Sequence, residues 1–591
     1  VLGALAVTLA AAGCVSIPTG GPVRSYSVTQ GADSQSQQYV QVQPQPPRKG
    51  WKPADIVEGF LAASASFGDH GKVAREYLTP QESKSWTPTY TAIVYKDGPD
   101  VTGPATVAPG TKNGPVTVRV TGKEQAYLQG FGSYSVPSAS TQDQAPSADQ
   151  VFTLVKVGTQ WRIAQRPGEL LLTSDSFNHD YQQRNLYFFD PAYHYLVPDP
   201  VYVPLQASEA DLMNGLVQDL IRQPTDWLSN QGATKTRLPA GTRLAGVTLD
   251  GVTAVVNLAG AIVKAAPAVL AEVSSQLLWT LSSNTQNGTS GQAVQSVKLE
   301  LDGRPWTPPN AQGNPVQRPS SSAQQPPSGA GGMFYYEDSA GYLVRRDGIA
   351  GKPARIEPVG ADVRQLAVSP DGRYVALVRG NELYTGLAGA ALSPRGTGYL
   401  SLSWDASDDL WASAGGQIYL FRGSRSSRQP LEQRVVVNVS SDGGIVGLSG
   451  PFPELRVAPD GVRVAVVMVL AASQVVTIGA ISGEQGASPQ LTLSRVQLGP
   501  VGGATTFTSL SWYGPDHVIA LATTPGPVVT EYLVSGGSAT SLPVDPGMSS
   551  VSASWASPLI AAVPGVHIAA NTSLTGSWTD LGSGSVPAYP G

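Results

Sequence analysis

The spacing of apolar residues divides the chain into stretches of different period. After Pro53, the run Asp55-Ile-Val-Glu-Gly-Phe-Leu-Ala-Ala-Ser puts Ile56, Phe60 and Leu61 on one helical face, the repeat of an amphipathic helix. A second short helix carries Val73, Tyr77 and Leu78 ahead of Thr79-Pro80. Strand-like runs follow at 90–95, 116–120, 152–157 and 161–163. Helices first and strands after them predict an α+β unit. The next unit opens with strands at 186–189 and 201–205. Ser208 with Asp211 forms a capping box for a helix whose apolar face is Leu212, Leu216, Val217, Leu220 and Ile221. Strands at 247–249 and 252–256 flank Asp250-Gly251, a two-residue hairpin signal. A helix with Leu270, Val273, Leu277, Leu278 and Leu281 on its inner face comes next, then a strand at 297–301 that stops at Asp302-Gly303.

Beyond residue 333 the chain repeats. Leu366-Ala-Val-Ser-Pro-Asp-Gly-Arg-Tyr-Val-Ala-Leu-Val378 recurs in weakened form at 402–412, 455–465 and 510–520, and shortened at 553–561. Each copy is a strand, a turn of the Pro-Asp-Gly type and another strand. A period of roughly 35–55 residues is that of a β-propeller blade, and it predicts roughly five to six blades. Two stretches break the patterning. Residues 25–50 and 311–332 are rich in Gln, Pro, Ser and Gly, a composition that buries too little apolar surface to fold and favours extended spacers.

Composition narrows the class. A chain of 591 residues is too long for one core. Charged residues make up 14% of it, below the roughly 25% of ordinary soluble domains. With 65 Gly and 48 Pro, this favours a turn-rich extracytoplasmic protein over a helical cytosolic enzyme. The net charge of -5, without basic clusters, gives no footprint for nucleic acid.

The single cysteine, Cys14, rules out disulfides within the chain. It follows an apolar, uncharged run, Val1 to Gly13, that is too short for the about 20 residues a membrane-spanning helix needs. The run reads as a secretory signal cut between Gly13 and Cys14. It resembles the lipobox of bacterial lipoproteins, which implies that the Cys14 thiol takes a diacylglycerol. Two acyl chains suffice for stable attachment where one does not.

Catalytic patterns are scarce. His70, His179, His194, His517 and His567 show no metal-ligand spacing. No Gly-x-Ser-x-Gly elbow, phosphate loop or dinucleotide fingerprint is present. The adjacent acids Glu337-Asp338 and Asp408-Asp409 read as solvated turns. Asp371, Asp460 and Asp516 recur in the repeats and read as turn chemistry. Trp404, Trp411, Trp512 and Trp555 read as blade-packing core. The sequence therefore assigns no catalytic residue, metal or cofactor, and predicts a protein that works by binding.

Longer motifs carry a resemblance. The order of elements in the first unit is similar to nuclear-transport-factor-2-like domains. Tyr187-Phe-Phe189, Leu238-Pro-Ala-Gly-Thr242, Val255-Val-Asn-Leu258 and Leu277-Leu-Trp-Thr-Leu281 resemble the GerMN domain of spore-germination proteins. With Val197-Pro-Asp-Pro-Val-Tyr-Val203, Val457-Ala-Pro-Asp-Gly-Val-Arg463 and Leu510-Ser-Trp512, the whole chain resembles the actinobacterial LpqB lipoprotein family. The expected organisation is a signal peptide (1–13), a lipidated cysteine and tether (14–50) and an NTF2-like α+β domain (51–184). A GerMN-like α+β domain (185–306), a linker (307–332) and an all-β propeller (333–591) complete it. The resemblance implies a lipid-anchored protein on the outer face of the cell membrane. It implies binding to the extracytoplasmic domain of the sensor histidine kinase MtrB, in the MtrA–MtrB two-component system, with effects on cell-wall homeostasis and division. The alternative is a propeller-based protein that binds or hydrolyses cell-wall glycan, or a receptor for a small ligand.

Overall fold

A computed structural model describes residues 45–591, apart from 66–70, 88–90, 97, 104–113, 130–131, 136–146, 206–208, 230–231, 285–293, 308–315, 318–330, 423–430, 442–443, 448–449, 471–472, 483–488, 499–504, 524–526, 534–538, 546, 564–566 and 575. The signal run, Gly13, Cys14, most of the expected tether, His70 and Ser208 lie outside the described residues. No helix among those described is long and apolar enough to cross a membrane.

In the first domain the helix Pro53–Ala65 buries Ile56, Val57, Phe60 and Ala63, while Leu61 is only partly covered. It packs on a sheet ordered Gln160–Gln165, Ser147–Val157, Val116–Gln129, Ala92–Tyr95 and Leu170–Thr173. The last pair is parallel. The apolar run Leu170-Leu171-Leu172, with no alternation to mark it, is this closing strand, covered on both faces and buried throughout. A short helix, Ser174–Asp180, follows, capped by Thr173 Oγ1 accepting from the Ser176 amide at 2.9 Å.

The second domain begins with a two-stranded hairpin, Tyr181–Phe189 paired with Leu196–Pro204. The expected junction at 185 falls inside its first strand. Every residue of Leu196–Pro204 is buried, because the hairpin faces all three domains. Tyr181 and Tyr202 join the first domain's core beside Leu128, Tyr134 and Phe177. Leu186, Phe188, Val201 and Val203 enter the core of their own domain. Val197 packs with Leu228 and Ala233 against Val462 and Ala480 of the propeller. Gly132 approaches the hairpin so closely, at φ +79°, that a Cβ there would lie 2.0 Å from the Tyr202 carbonyl oxygen. The rest is a sheet, Thr242–Asp250, Thr253–Gly260, Ser296–Leu301 and Arg304–Pro305, covered by helices Glu209–Arg222 and Pro267–Asn284. The hairpin expected at Asp250-Gly251 forms, with Asp250 opposite Thr253. Val316–Gln317, inside the expected linker, pairs with Ser296 and Val297 and adds an edge strand to this sheet.

The third domain is a propeller of six blades. Five inner strands open blades two to six: Val363–Val368, Tyr399–Trp404, Leu455–Val457, Thr506–Trp512 and Ser550–Ser552. Blade one combines Met333–Glu337, Tyr342–Asp347 and Ala354–Pro358 with Ser585–Ala588, which supplies its inner strand from the far end of the domain. The six inner strands touch one another in sequence around a closed ring. Blades three and four are also joined at their outer edges, where Leu431–Ser441 runs parallel to Gln490–Leu498.

The last repeat is in a different register from the one its sequence suggests. Ala553-Ser-Trp555 imitates Leu402-Ser-Trp404 and Leu510-Ser-Trp512, yet the positions equivalent in register are Val551, Ser552 and Ala553, two residues earlier. A slip of two keeps every side chain on its own face of a strand, so hydrophobic alternation does not reveal it. Trp555 consequently leaves the blade core for the turn and is 39% exposed.

Candidate functional site

The inner strands enclose a central cavity of about 780 Å³. Its wall is built on alternate serines. A strand at the inner edge of a blade turns unpaired backbone groups toward the axis, and these need partners. Serines on the neighbouring blade supply them. Ser401 Oγ accepts from the Leu455 amide at 3.0 Å and donates to the Leu455 carbonyl at 3.2 Å, and Ser403 Oγ accepts from Val457 at 2.9 Å. Ser509 and Ser511 bond Val551 and Ala553 in the same manner, at 2.8–3.2 Å. Ser552 Oγ accepts from the Tyr589 amide at 2.9 Å. The alternating Ser-x-Ser before or across each Leu-Ser-Trp motif was the visible signal of this role.

One side of the wall holds a buried ionic network. Arg456 lies 3.1 Å from the Glu454 carboxylate and donates to Ser401 Oγ at 2.7 Å. Gln365, two blades away, donates to Glu454 at 2.7 Å and accepts from Arg456 at 3.2 Å. Burial pushes the Glu454 carboxyl up from its ordinary value, against the opposing pull of Arg456.

The two mouths differ. At one, Asp362, Arg364 and Glu337 stand on neighbouring blades; Ser585 donates to Glu337 at 2.7 Å. At the other, the cavity is lined by turn residues Pro370, Pro459, Pro515 and Trp555, together with Tyr195 and Pro198 of the hairpin. The hairpin loop is held there by Asp190, whose carboxylate accepts from the amides of Ala192, His194 and Tyr195 at 2.6–2.9 Å.

Beside that mouth lies a polar junction between the second domain and the propeller. Asp516 Oδ2 accepts from Asn185 Nδ2 at 2.8 Å and Gln183 Nε2 at 3.0 Å, while its Oδ1 meets His517 Nδ1 at 2.7 Å. Burial opposes the Asp516 charge, but the bonds from His517 and Asn185 and the charges of His517 and Arg463 outweigh it and hold the carboxyl below its ordinary value. Burial likewise works against a charged His517, yet Asp516 and Glu531 raise its pKa. Arg463 binds Asp460 at 2.7 Å and stacks 4.9 Å from the Trp512 ring. Fully buried Asp199 accepts from the Thr225 amide and hydroxyl, each at 2.7 Å, and burial lifts its pKa to about 6.

These positions revise several expectations. Asp371 and Asp460 do turn chemistry, accepting from the amides of Arg373 and Arg463, each at 3.0 Å. Asp516 serves the domain junction instead. Asp408 is buried rather than solvated, at φ +55° in a turn organised by Asp405. Glu337 lies on a strand, not a turn, and faces the cavity; Asp338 organises the turn beside it. Trp404, Trp411 and Trp512 are core residues as expected, Trp512 also reaching the cavity wall, whereas Trp555 is exposed and lines the cavity. His179 bonds the Asp175 carbonyl at 2.6 Å and His567 meets Asp545 at 2.7 Å. Among the described residues, no three His, Cys, Asp or Glu side chains group as metal ligands.

Comparison with known proteins matches each domain. Residues 46–178 match the N-terminal domain of lipoprotein LpqB, residues 185–307 the sporulation and spore germination domain called Germane, and residues 341–590 the lipoprotein LpqB beta-propeller domain. Lipoprotein LpqB of Thermobifida fusca is 28% identical, with 99% of this chain and 97% of that protein covered. Lipoprotein LpqB of Streptomyces coelicolor is 27% identical over 98% and 96%. Among solved structures, TolB from Acinetobacter baumannii matches 44% of this chain and 67% of its own, with 14% identity and a TM-score of 0.31.

Proposed function

Since the chain belongs to the LpqB family of lipoproteins, we propose that it is a lipid-anchored extracytoplasmic protein that binds the outer domain of the sensor kinase MtrB and modulates its signalling. It acts by binding rather than by catalysis. Cys14 carries the lipid, and the Pro- and Gln-rich residues after it hold the folded part off the bilayer. The observation that supports this reading is the hairpin shared by three cores. A partner seated on the propeller acts on a body connected through packed side chains to the domain nearest the anchor, so contact at one end is transmitted to the other. Tethering both proteins to one membrane raises their effective concentration and makes a weak contact sufficient.

The test is crosslinking in cells with tagged full-length protein, followed by mass spectrometry of the membrane fraction. Recovery of the kinase's outer domain, lost in Cys14→Ala, is the expected result. Recovery of wall-synthesis enzymes without a kinase, or unchanged phosphorylation of the response regulator in a deletion strain, would reject it.

A further inference from the structure

We infer that the central cavity of the propeller is a binding site for a neutral, polyhydroxylated ligand, a short glycan, held between the serine wall and the Tyr195–Trp555 mouth. The size is right: about 780 Å³ falls within the roughly 300–1,000 Å³ of ligand pockets. The inner strands run from three to seven residues, and the longer ones, Val363–Val368, Tyr399–Trp404 and Thr506–Trp512, span about 20 Å at about 3.3 Å per residue, long enough for two or three sugar rings end to end.

Charge argues against an anion. Three arginines and three acids, Glu337, Asp362 and Asp460, contribute to the lining: Arg364 is 3.5 Å from Asp362, Arg463 is 2.7 Å from Asp460, and Arg456 is 3.1 Å from Glu454 behind the wall. Glu337 accepts from Ser585 at 2.7 Å, and burial raises its pKa toward the neutral form. An anionic ligand would meet no arginine that lacks a carboxylate beside it. The backbone argues against a peptide. A peptide joining a sheet edge needs free amides and carbonyls, and here the serines of adjoining blades already occupy them at Leu455, Val457, Val551 and Ala553.

What remains suits hydroxyl groups. A hydroxyl has one proton and two lone pairs, so Ser509 and Ser511, each donating once and accepting once, keep an acceptor site. Ser550 lines the cavity, and its Oγ is buried with no hydrogen-bond partner among the described residues. At the hairpin end the lining changes to flat apolar surface. Trp555 is 39% exposed and packs over Gly514, where a Cβ would lie 3.6 Å from its ring. Tyr195 joins it in the lining from the other domain, backed by the bonded Asp190 loop. Aromatic faces of this kind receive the apolar faces of sugar rings while hydroxyls at their edges meet the serines. Because Tyr195 belongs to the second domain, the site is shared between two domains, and its occupancy bears on how they are held together.

The inference stands on the cavity alone and survives a failure of the kinase reading. The test is saturation-transfer NMR of the full chain with cellobiose and N,N′-diacetylchitobiose, with glucuronate and tetra-alanine as the charged and strand-forming competitors. Transfer from a neutral disaccharide is expected, weakened at least tenfold by Trp555→Ala and measurably by Ser550→Val, each with an unchanged thermal transition. Ser550→Val carries the test if Trp555→Ala does not fold. Absence of transfer from both disaccharides, transfer unaltered by both variants, or stronger binding of glucuronate or tetra-alanine would each overturn it.

Discussion

Removing the Asp516 carboxylate measures how much the polar junction contributes to joining the second domain and the propeller. Asp516→Ala deletes two amide donations to a charged oxygen, from Asn185 at 2.8 Å and Gln183 at 3.0 Å, and the His517 contact at 2.7 Å. A hydrogen bond to a charged group contributes about 1.5–3 kcal/mol. The Asp516 side chain is 17% exposed, so water screens part of that and replaces some of it after the mutation. The two amides together then give a cost of about 3 kcal/mol. Asn185→Ala removes one of them and costs about 1.5–2 kcal/mol. The double variant separates the shared bond from each residue's other contacts. If Asn185 acts mainly through Asp516, the pair couples by about 1–2 kcal/mol, within the range for groups in one network. The assay is urea unfolding of the full chain, with wild type, both single variants and the double variant followed by tryptophan fluorescence, reading the first transition. Costs that add to within about 0.3 kcal/mol would refute the reasoning and show that Asn185 does not act through Asp516.

Other consequences follow from the same geometry. Ser511→Ala leaves the Ala553 amide and carbonyl without their inner-edge partner, and is expected to lower stability by about 1–2 kcal/mol in equilibrium unfolding; a change below about 0.3 kcal/mol would mean that water replaces the hydroxyl there. Gly132→Ala sets a side chain at φ +79° and 2.0 Å from the Tyr202 carbonyl; since positive φ alone costs about 1–2 kcal/mol, a total above about 3 kcal/mol is expected in thermal unfolding, and faster proteolysis between the first two domains accompanies it. His517 holds its proton more tightly folded than unfolded, so its pairing with Asp516 contributes fully below the ordinary histidine value of about 6.5. That contribution is lost as pH rises through the raised folded value, and His517→Gln should therefore lower the Tm more at about pH 5.5 than at about pH 9; the opposite order would show that His517 is neutral in the folded protein.

The sequence disclosed features that depend on local periodicity and turn chemistry. The helix at Pro53, the two helices of the second domain and the Asp250-Gly251 hairpin stand where their spacing put them. Five of the six blades announced themselves because inner strand, turn and next strand are contiguous. The sixth did not, since Glu337 and Ser585 meet from positions 248 residues apart and leave no repeat unit to recognise. Trp555 misled because a two-residue slip preserves alternation. The candidate site was less legible. The serines recur visibly, but their task depends on which blade lies alongside, and Asp516 looked like its turn counterparts Asp371 and Asp460. Only the packing of the hairpin against blades four and five, set by residues more than 300 positions apart, distinguishes it.

Closing blade one with a strand from each end of the propeller sets an order of events. The inner strands of blades two to six each pair with the strand that follows next in the chain, within one repeat. Pairing Tyr335 with Ala588 must await the last residues of the ring. Loop-closure entropy grows with the length enclosed, and contacts this distant in sequence form slowly. A chain made amino end first therefore holds Met333–Glu337 with one edge unpaired until the rest of the domain is made, and that edge is a template for wrong partners. Completion of the final strand, rather than synthesis of any earlier blade, is the moment at which the domain becomes a ring, and a chain shortened by that strand would be left open-edged and prone to aggregate.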